Sequence, residues 1–162
     1  MRFRRLTKNE LEKLEDDFIT FLASQTITAK EWDLLKTNNP EKVHELLDVF
    51  SDIVLEKVFD KMQYLQHRTN DTIRVFKCDA DVITMTGLHV NDSQVDLTRT
   101  EDLQRLTDPS NIRGKVNVFQ MEKKYRSNKP DEIFQMMHQN GCQVASEDMF
   151  NSLVDMYKLT QG

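Results

Sequence analysis

Tyr64-Leu65-Gln66-His67-Arg68, Thr72-Ile73-Arg74-Val75-Phe76-Lys77-Cys78 and Val82-Ile83-Thr84-Met85-Thr86 are three short runs rich in β-branched and aromatic residues. Apolar and polar side chains alternate along them, which is the period of a strand with one buried face. The joins, Thr69-Asn70-Asp71 and Asp79-Ala80-Asp81, are short and polar. The runs are therefore predicted to pair as an antiparallel meander. On either side of the meander the apolar period changes to that of a helix. Helices, then strands, then helices is the order of an α+β domain rather than a wound α/β one.

Upstream, Thr7 and Glu10 have the spacing of a capping box, bracketed by Leu6 and Leu11 as a hydrophobic staple. Leu11, Leu14, Phe18, Phe21 and Leu22 follow as one apolar stripe, so the spacing predicts a single first helix. Thr28 and Glu31 repeat the box, and Thr37-Asn38-Asn39-Pro40 is a turn whose proline suits the first position of another helix. That helix, about Pro40 to Met62, is predicted to be the long central element. Its stripe (Val43, Leu46, Leu47, Phe50, Ile53, Val54, Val58) is widened by Val49, Leu55, Phe59 and Met62. An arc this broad calls for cover on two sides, by the first helix and by the sheet, with both Phe50 and Ile53 nearly fully buried.

Downstream, Asn91 to Asn111 is the least patterned stretch, with at most a short helical turn around Leu103 and Leu106. Lys115 to Met121 alternates through Val116 and Val118 and predicts a fourth strand, whose tail Glu122-Lys123-Lys124-Tyr125 suits strand or helix. Pro130 opens a helix through His138 that Asn140-Gly141 ends. Ser146 caps a last helix carrying Met149, Phe150, Leu153, Val154 and Tyr157. The expected organisation is one α+β domain over residues 1–162, with N-terminal helices, a long central helix, a small antiparallel sheet and C-terminal helices. It is helical over 1–62, antiparallel strands over 63–90, irregular over 91–114, and strand and helices over 115–160.

Bulk properties narrow the class. The 162 residues suit one domain. Hydrophobic content of 38% allows a core, and a mean hydropathy of −0.61 fits a highly charged chain. The net charge of −5 argues against broad, non-specific nucleic-acid binding. The Met1-Arg2-Phe3-Arg4-Arg5-Leu6 start has no apolar run behind it, and no window is long and apolar enough to span a bilayer. The expected location is the cytoplasm, with no membrane contact. Cys78 and Cys142 lie far apart in sequence and form no paired motif, which fits two buried thiols in a reducing compartment.

Catalytic signals are weak. Neither cysteine has a neighbouring base, and no serine sits in a nucleophile elbow. Asp79 and Asp81 flank Ala80 as a cation-binding pair would, but without the later glutamate of a loop site, so a plain turn is preferred. His138 and Cys142 are four apart, but Gly141 is expected to end the helix between them. No catalytic residue, metal site or cofactor is assigned.

Charge is uneven. Residues 113–129 hold six cations against Glu122 alone, a local +5 that leaves −10 on the rest of the chain. Arg113, Lys115, Phe119, Lys123, Lys124, Tyr125 and Arg126 are the candidate binding residues. Basic groups interleaved with aromatics suit an acidic protein partner, the favoured occupant, or nucleic acid, the alternative. The plain explanation is a strand edge guarded by lysines against aggregation.

The segments Phe3-Arg4-Arg5-Leu6-Thr7-Lys8-Asn9-Glu10-Leu11, Val49-Phe50-Ser51-Asp52-Ile53-Val54, Tyr64-Leu65-Gln66-His67-Arg68 and Phe76-Lys77-Cys78-Asp79-Ala80-Asp81 resemble a family of small bacterial proteins known only as a domain of unknown function. The resemblance runs mainly over residues 1–90. It implies a bacterial cytoplasmic protein, agrees with the α+β class and supplies no site residues. The expectation is a non-enzymatic protein-interaction or regulatory protein. A nucleic-acid- or ribosome-associated binder is the alternative, and an enzyme whose site is scattered along the sequence is a weaker third. Oligomeric state is not legible.

Overall fold

The computed structural model describes residues 1–106 and 116–161. Among these residues it has seven helices and one five-stranded antiparallel sheet, an α+β fold. The chain forms two compact units, Met1–Val58 and Phe59–Gly162.

The first unit holds α1 (Lys8–Lys13), α2 (Glu15–Ser24), α3 (Ala29–Asn38) and most of α4 (Pro40–Lys61). Both predicted capping boxes form. Thr7 accepts from the Glu10 N–H while Glu10 accepts from the Thr7 N–H, and Thr28 and Glu31 do the same. Arg4 adds a two-pronged pair to Glu10 at 2.9 and 3.0 Å. Together, that pairing and the Thr7 amide lower the Glu10 carboxyl to about 2.

The predicted first helix is in fact two. Its ladder breaks at Leu14, whose N–H donates to the Leu11 carbonyl, and the chain restarts with Glu15, Asp16 and Asp17 in the first turn of α2. Acidic groups there complement the helix N-terminus, so a local charge pattern divides what the apolar stripe joins.

The extended start of the chain runs along α4. The amides of Arg2 and Phe3 donate to the Asp52 carboxylate at 2.7 and 3.0 Å. The Leu6 amide donates to the fully buried Ser51 hydroxyl, which donates in turn to the Leu47 carbonyl. Phe18, Phe21 and Phe50 form an aromatic core, with ring centroids 5.0–6.1 Å apart. Phe50 is buried as expected, but Ile53 is 41% exposed. The aromatic trio packs on the Phe50 side of the α4 stripe, and Ile53 lies beyond it.

The second unit is built on a sheet of strand order β4-β3-β2-β1-β5. The strands are β1 (Tyr64–Arg68), β2 (Thr72–Cys78), β3 (Val82–Val90), β4 (Val116–Lys124) and β5 (Gln143–Val144). The three runs of the meander pair in sequence order, and β3 continues past the run Val82–Thr86 to Val90, the end of the region predicted to be strand. β4 pairs with β3 along its whole length, so its tail is strand.

One sheet face, with Ile73, Val75, Leu88, Val90 and Val118, packs on Phe150, Leu153 and Met156 of α7 (Glu147–Gln161). Leu106 of the short helix α5 (Thr100–Leu106) joins this core; α5 is the helical turn predicted around Leu103 and Leu106, and residues 107–114 of the stretch predicted to be irregular lie outside the described residues. Helix α6 (Lys129–His138) has Asn128 as its cap and Pro130 in its first turn, and Ile133 and Met136 are buried. Gly141, at a φ of 72°, ends the turn that follows, where a residue with a Cβ would be strained. No helix among the described residues is long and apolar enough to cross a membrane.

Candidate interaction surface on the β4 edge

β4 lies at the end of the sheet order, so its outer backbone groups meet no other strand among the described residues. Most of the sequence-predicted binding residues sit on this edge or just past it. Arg113 and Lys115 lie outside the described residues.

Strand alternation sends Phe119, Met121 and Lys123 to the face opposite α7, and Gln120, Glu122 and Lys124 to the α7 face. Phe119 pairs across from Gly87. A Cβ on Gly87 would lie 2.4 Å from the Phe119 ring, so the ring occupies the space that the glycine leaves open. The Arg74 guanidinium lies over the same ring, 5.9 Å from its centroid. Met121, one step along that face, is 64% exposed.

The cations of the predicted island differ in their partners. Lys123 pairs with Glu132, whose side chain is only 8% exposed. Glu132 also accepts from the Arg126 amide at 2.8 Å. Burial pushes the Glu132 carboxyl up, but the Lys123 hydrogen bond and the Arg126 amide outweigh it, and the net direction is down. The Lys129 ammonium donates to the Cys78 carbonyl at 3.0 Å. Tyr125 donates its hydroxyl to the Asp79 carbonyl at 2.7 Å, and burial pushes its phenol up. These residues fasten α6 and the end of β4 to the β2–β3 turn. The Lys124 and Arg126 side chains are exposed and make no close ion pair among the described residues, though the Arg126 charge also helps to lower the Glu132 carboxyl. The described members of the predicted set, Phe119, Lys123, Lys124, Tyr125 and Arg126, thus follow one another along this edge, but they differ in what they hold.

A polar cavity of about 640 Å³ opens beside this turn. Lys61, Lys77 and Lys129 line it against Asp60, Asp79 and Glu147, so its charges balance and offer no net attraction to an ion of either sign. Neither His67 nor His138 lines it. His138 stacks on Phe134 instead, with centroids 5.1 Å apart. Asp79 acts as a turn residue, its amide donating to the Val82 carbonyl. Among the described residues, no three His, Cys, Asp or Glu side chains gather as metal ligands. Both thiols are buried and free. Burial pushes Cys78 up to about 12, and Cys142 shifts in the same direction for the same reason. That is opposite to the shift of an activated thiol.

Two residues of this surface escape sequence reasoning. Gly87 sits inside a strand, where an isolated glycine signals close approach by another group; the signal was present. Glu132 stands in a first helical turn and reads there as a complement to the helix dipole. Nothing local ties it to Lys123, nine positions earlier on a strand.

The profile of the family of unknown function DUF6495 matches residues 1–158. The chain belongs to this family. The match extends well past residue 90, so the β4 edge, α6 and α7 as far as residue 158 are parts of the family domain. Neither the curated proteins nor the solved structures yield a match.

Proposed function

We propose that this DUF6495 protein is a non-enzymatic, cytoplasmic interaction protein of bacteria, and that β4 docks an extended acidic segment of a partner protein. The observation that carries the proposal is the nine-residue β4 edge, unpaired among the described residues, with exposed Met121 on one face and the exposed cations Lys124 and Arg126 at its end. An added strand gains main-chain hydrogen bonds from such an edge and specificity from alternate side chains. The exposed cations favour carboxylates at one end of that strand. The upward-shifted thiols support a non-catalytic role, and their free state suits a reducing compartment.

The test is a titration with an extended peptide of alternating valine and glutamate, followed through the amide signals of residues 116–124. Lys124→Glu is the companion variant, because its side chain is exposed and lies apart from the Lys123–Glu132 pair that holds the end of β4 to α6. The expected result is perturbation centred on β4 that is lost in the variant. Signals that do not move would end the proposal. If single-stranded RNA instead binds with sub-micromolar, steeply salt-dependent affinity lost in the same variant, the island is a nucleic-acid site.

A further inference from the structure

The first unit carries a surface unrelated to the β4 edge. An open groove of about 490 Å³ runs between α2 and α4. Phe21, Phe50, Ile53, Val54 and Val58 give it an apolar lining. Along α4 these fall at the i, i+3, i+4, i+8 spacing of a helix-packing stripe. A stripe this long normally lies against another helix, yet Ile53 and Val58 are 41% and 44% exposed, and Val49 beside them 50%. Exposed apolar surface of this kind marks a contact site.

The charges of the groove point to its occupant. Asp17 enters it from α2 and Lys57 from α4. Neither makes an ion pair among the described residues. One free charge of each sign, on different helices of one apolar face, is the pattern that a two-fold axis satisfies. In an isologous contact, residue i of each copy meets residue j of the other, so Asp17 and Lys57 can pair twice. A basic or an acidic foreign helix would satisfy one charge and bury the other unpaired, at a cost.

We propose that the α2/α4 groove is the contact between two copies of this chain, which pack there as an antiparallel four-helix arrangement. The alternative self-contact, β4 against β4, would bring two stretches of +5 together and is disfavoured by their repulsion.

Sedimentation equilibrium of the full chain, from micromolar to submillimolar concentration, tests this. The expected result is a reversible dimer, reduced to monomer by Ile53→Asp. Asp17→Lys alone and Lys57→Asp alone should each weaken it about tenfold or more, because in a symmetric contact each substitution breaks both copies of the pair and sets like charges together. Asp17→Lys/Lys57→Asp together should restore it, because the swapped charges still pair across the axis. That rescue separates the contact from a mere failure to fold. A chain that stays monomeric at every concentration overturns the proposal and leaves the groove to a different occupant. A dimer indifferent to Ile53→Asp overturns it by placing the contact elsewhere.

Discussion

Lys123 and Lys124 are adjacent on β4, and strand alternation turns their side chains to opposite faces. Lys123 meets Glu132, a carboxylate with 8% of its side chain exposed, whereas Lys124 meets solvent. Composition alone counts both as equal members of a basic island. The difference predicts unequal effects on stability. Lys123→Glu should destabilise the fold by about 1–3 kcal/mol, because it leaves a buried acceptor without its donor and adds a like charge. Half of Lys123 is exposed, which keeps the loss below that of a fully buried pair. Lys124→Glu should stay within about 0.5 kcal/mol of the wild type. Urea unfolding of the two variants checks this, and equal midpoints would mean that the Lys123–Glu132 pair contributes nothing to the fold. For the same reason, a functional test of the edge should spare Lys123.

At the scale of elements, the signals that are local and chemical were legible. Two S/T-x-x-E boxes start helices, Asn140-Gly141 ends one, and Ser146 caps another by accepting from the Met149 amide. The strand period gives all three runs of the meander. β5 is two residues long, too short for any period to register. It exists because Gln143 and Val144 meet β1 in space. The break at Leu14 is hidden beneath an unbroken apolar stripe. α4 shows the clearest limit: its stripe identifies the helix but not which part of the arc is covered. Phe50 is 3% exposed and Ile53 41%, although both lie on the same broad face. Phe50→Ala should therefore cost about 3–5 kcal/mol, the range for emptying an aromatic core site. Ile53→Ala should cost about 1 kcal/mol, since much of that side chain is already in water. Comparable losses at the two positions would contradict this division of the arc. The cations and aromatics of the edge stand in the sequence as a run. Which cations were paired depended on a strand-to-helix pairing that sequence separation conceals.

For the whole molecule, the open question is whether the two compact units, Met1–Val58 and Phe59–Gly162, behave as the single domain that the sequence suggests. We expect one cooperative transition. Helix α4 runs without interruption from Pro40 to Lys61, across the boundary at Val58. Opening either unit alone would fray this helix at its continuous backbone ladder. A unit of only 58 residues also buries a modest share of its surface and has little stability to lose. The chain carries its own reporters. Its one tryptophan, Trp32, packs edge-on against Phe18 in the first unit, with centroids 5.1 Å apart. Its two cysteines, Cys78 and Cys142, are buried in the second. Tryptophan fluorescence therefore follows one unit, and the rate of thiol labelling follows the other. Native protein should label slowly, because burial both shields the thiols and holds them protonated. If the chain is one domain, the urea midpoint for Trp32 and the midpoint for fast thiol labelling should coincide, as two-state behaviour requires. A fluorescence transition well ahead of thiol exposure would instead make the first unit a separately folding module attached through α4. Its exposed groove residues would then belong to a helical domain of marginal stability, and dimerisation through that groove should raise the fluorescence midpoint as protein concentration rises.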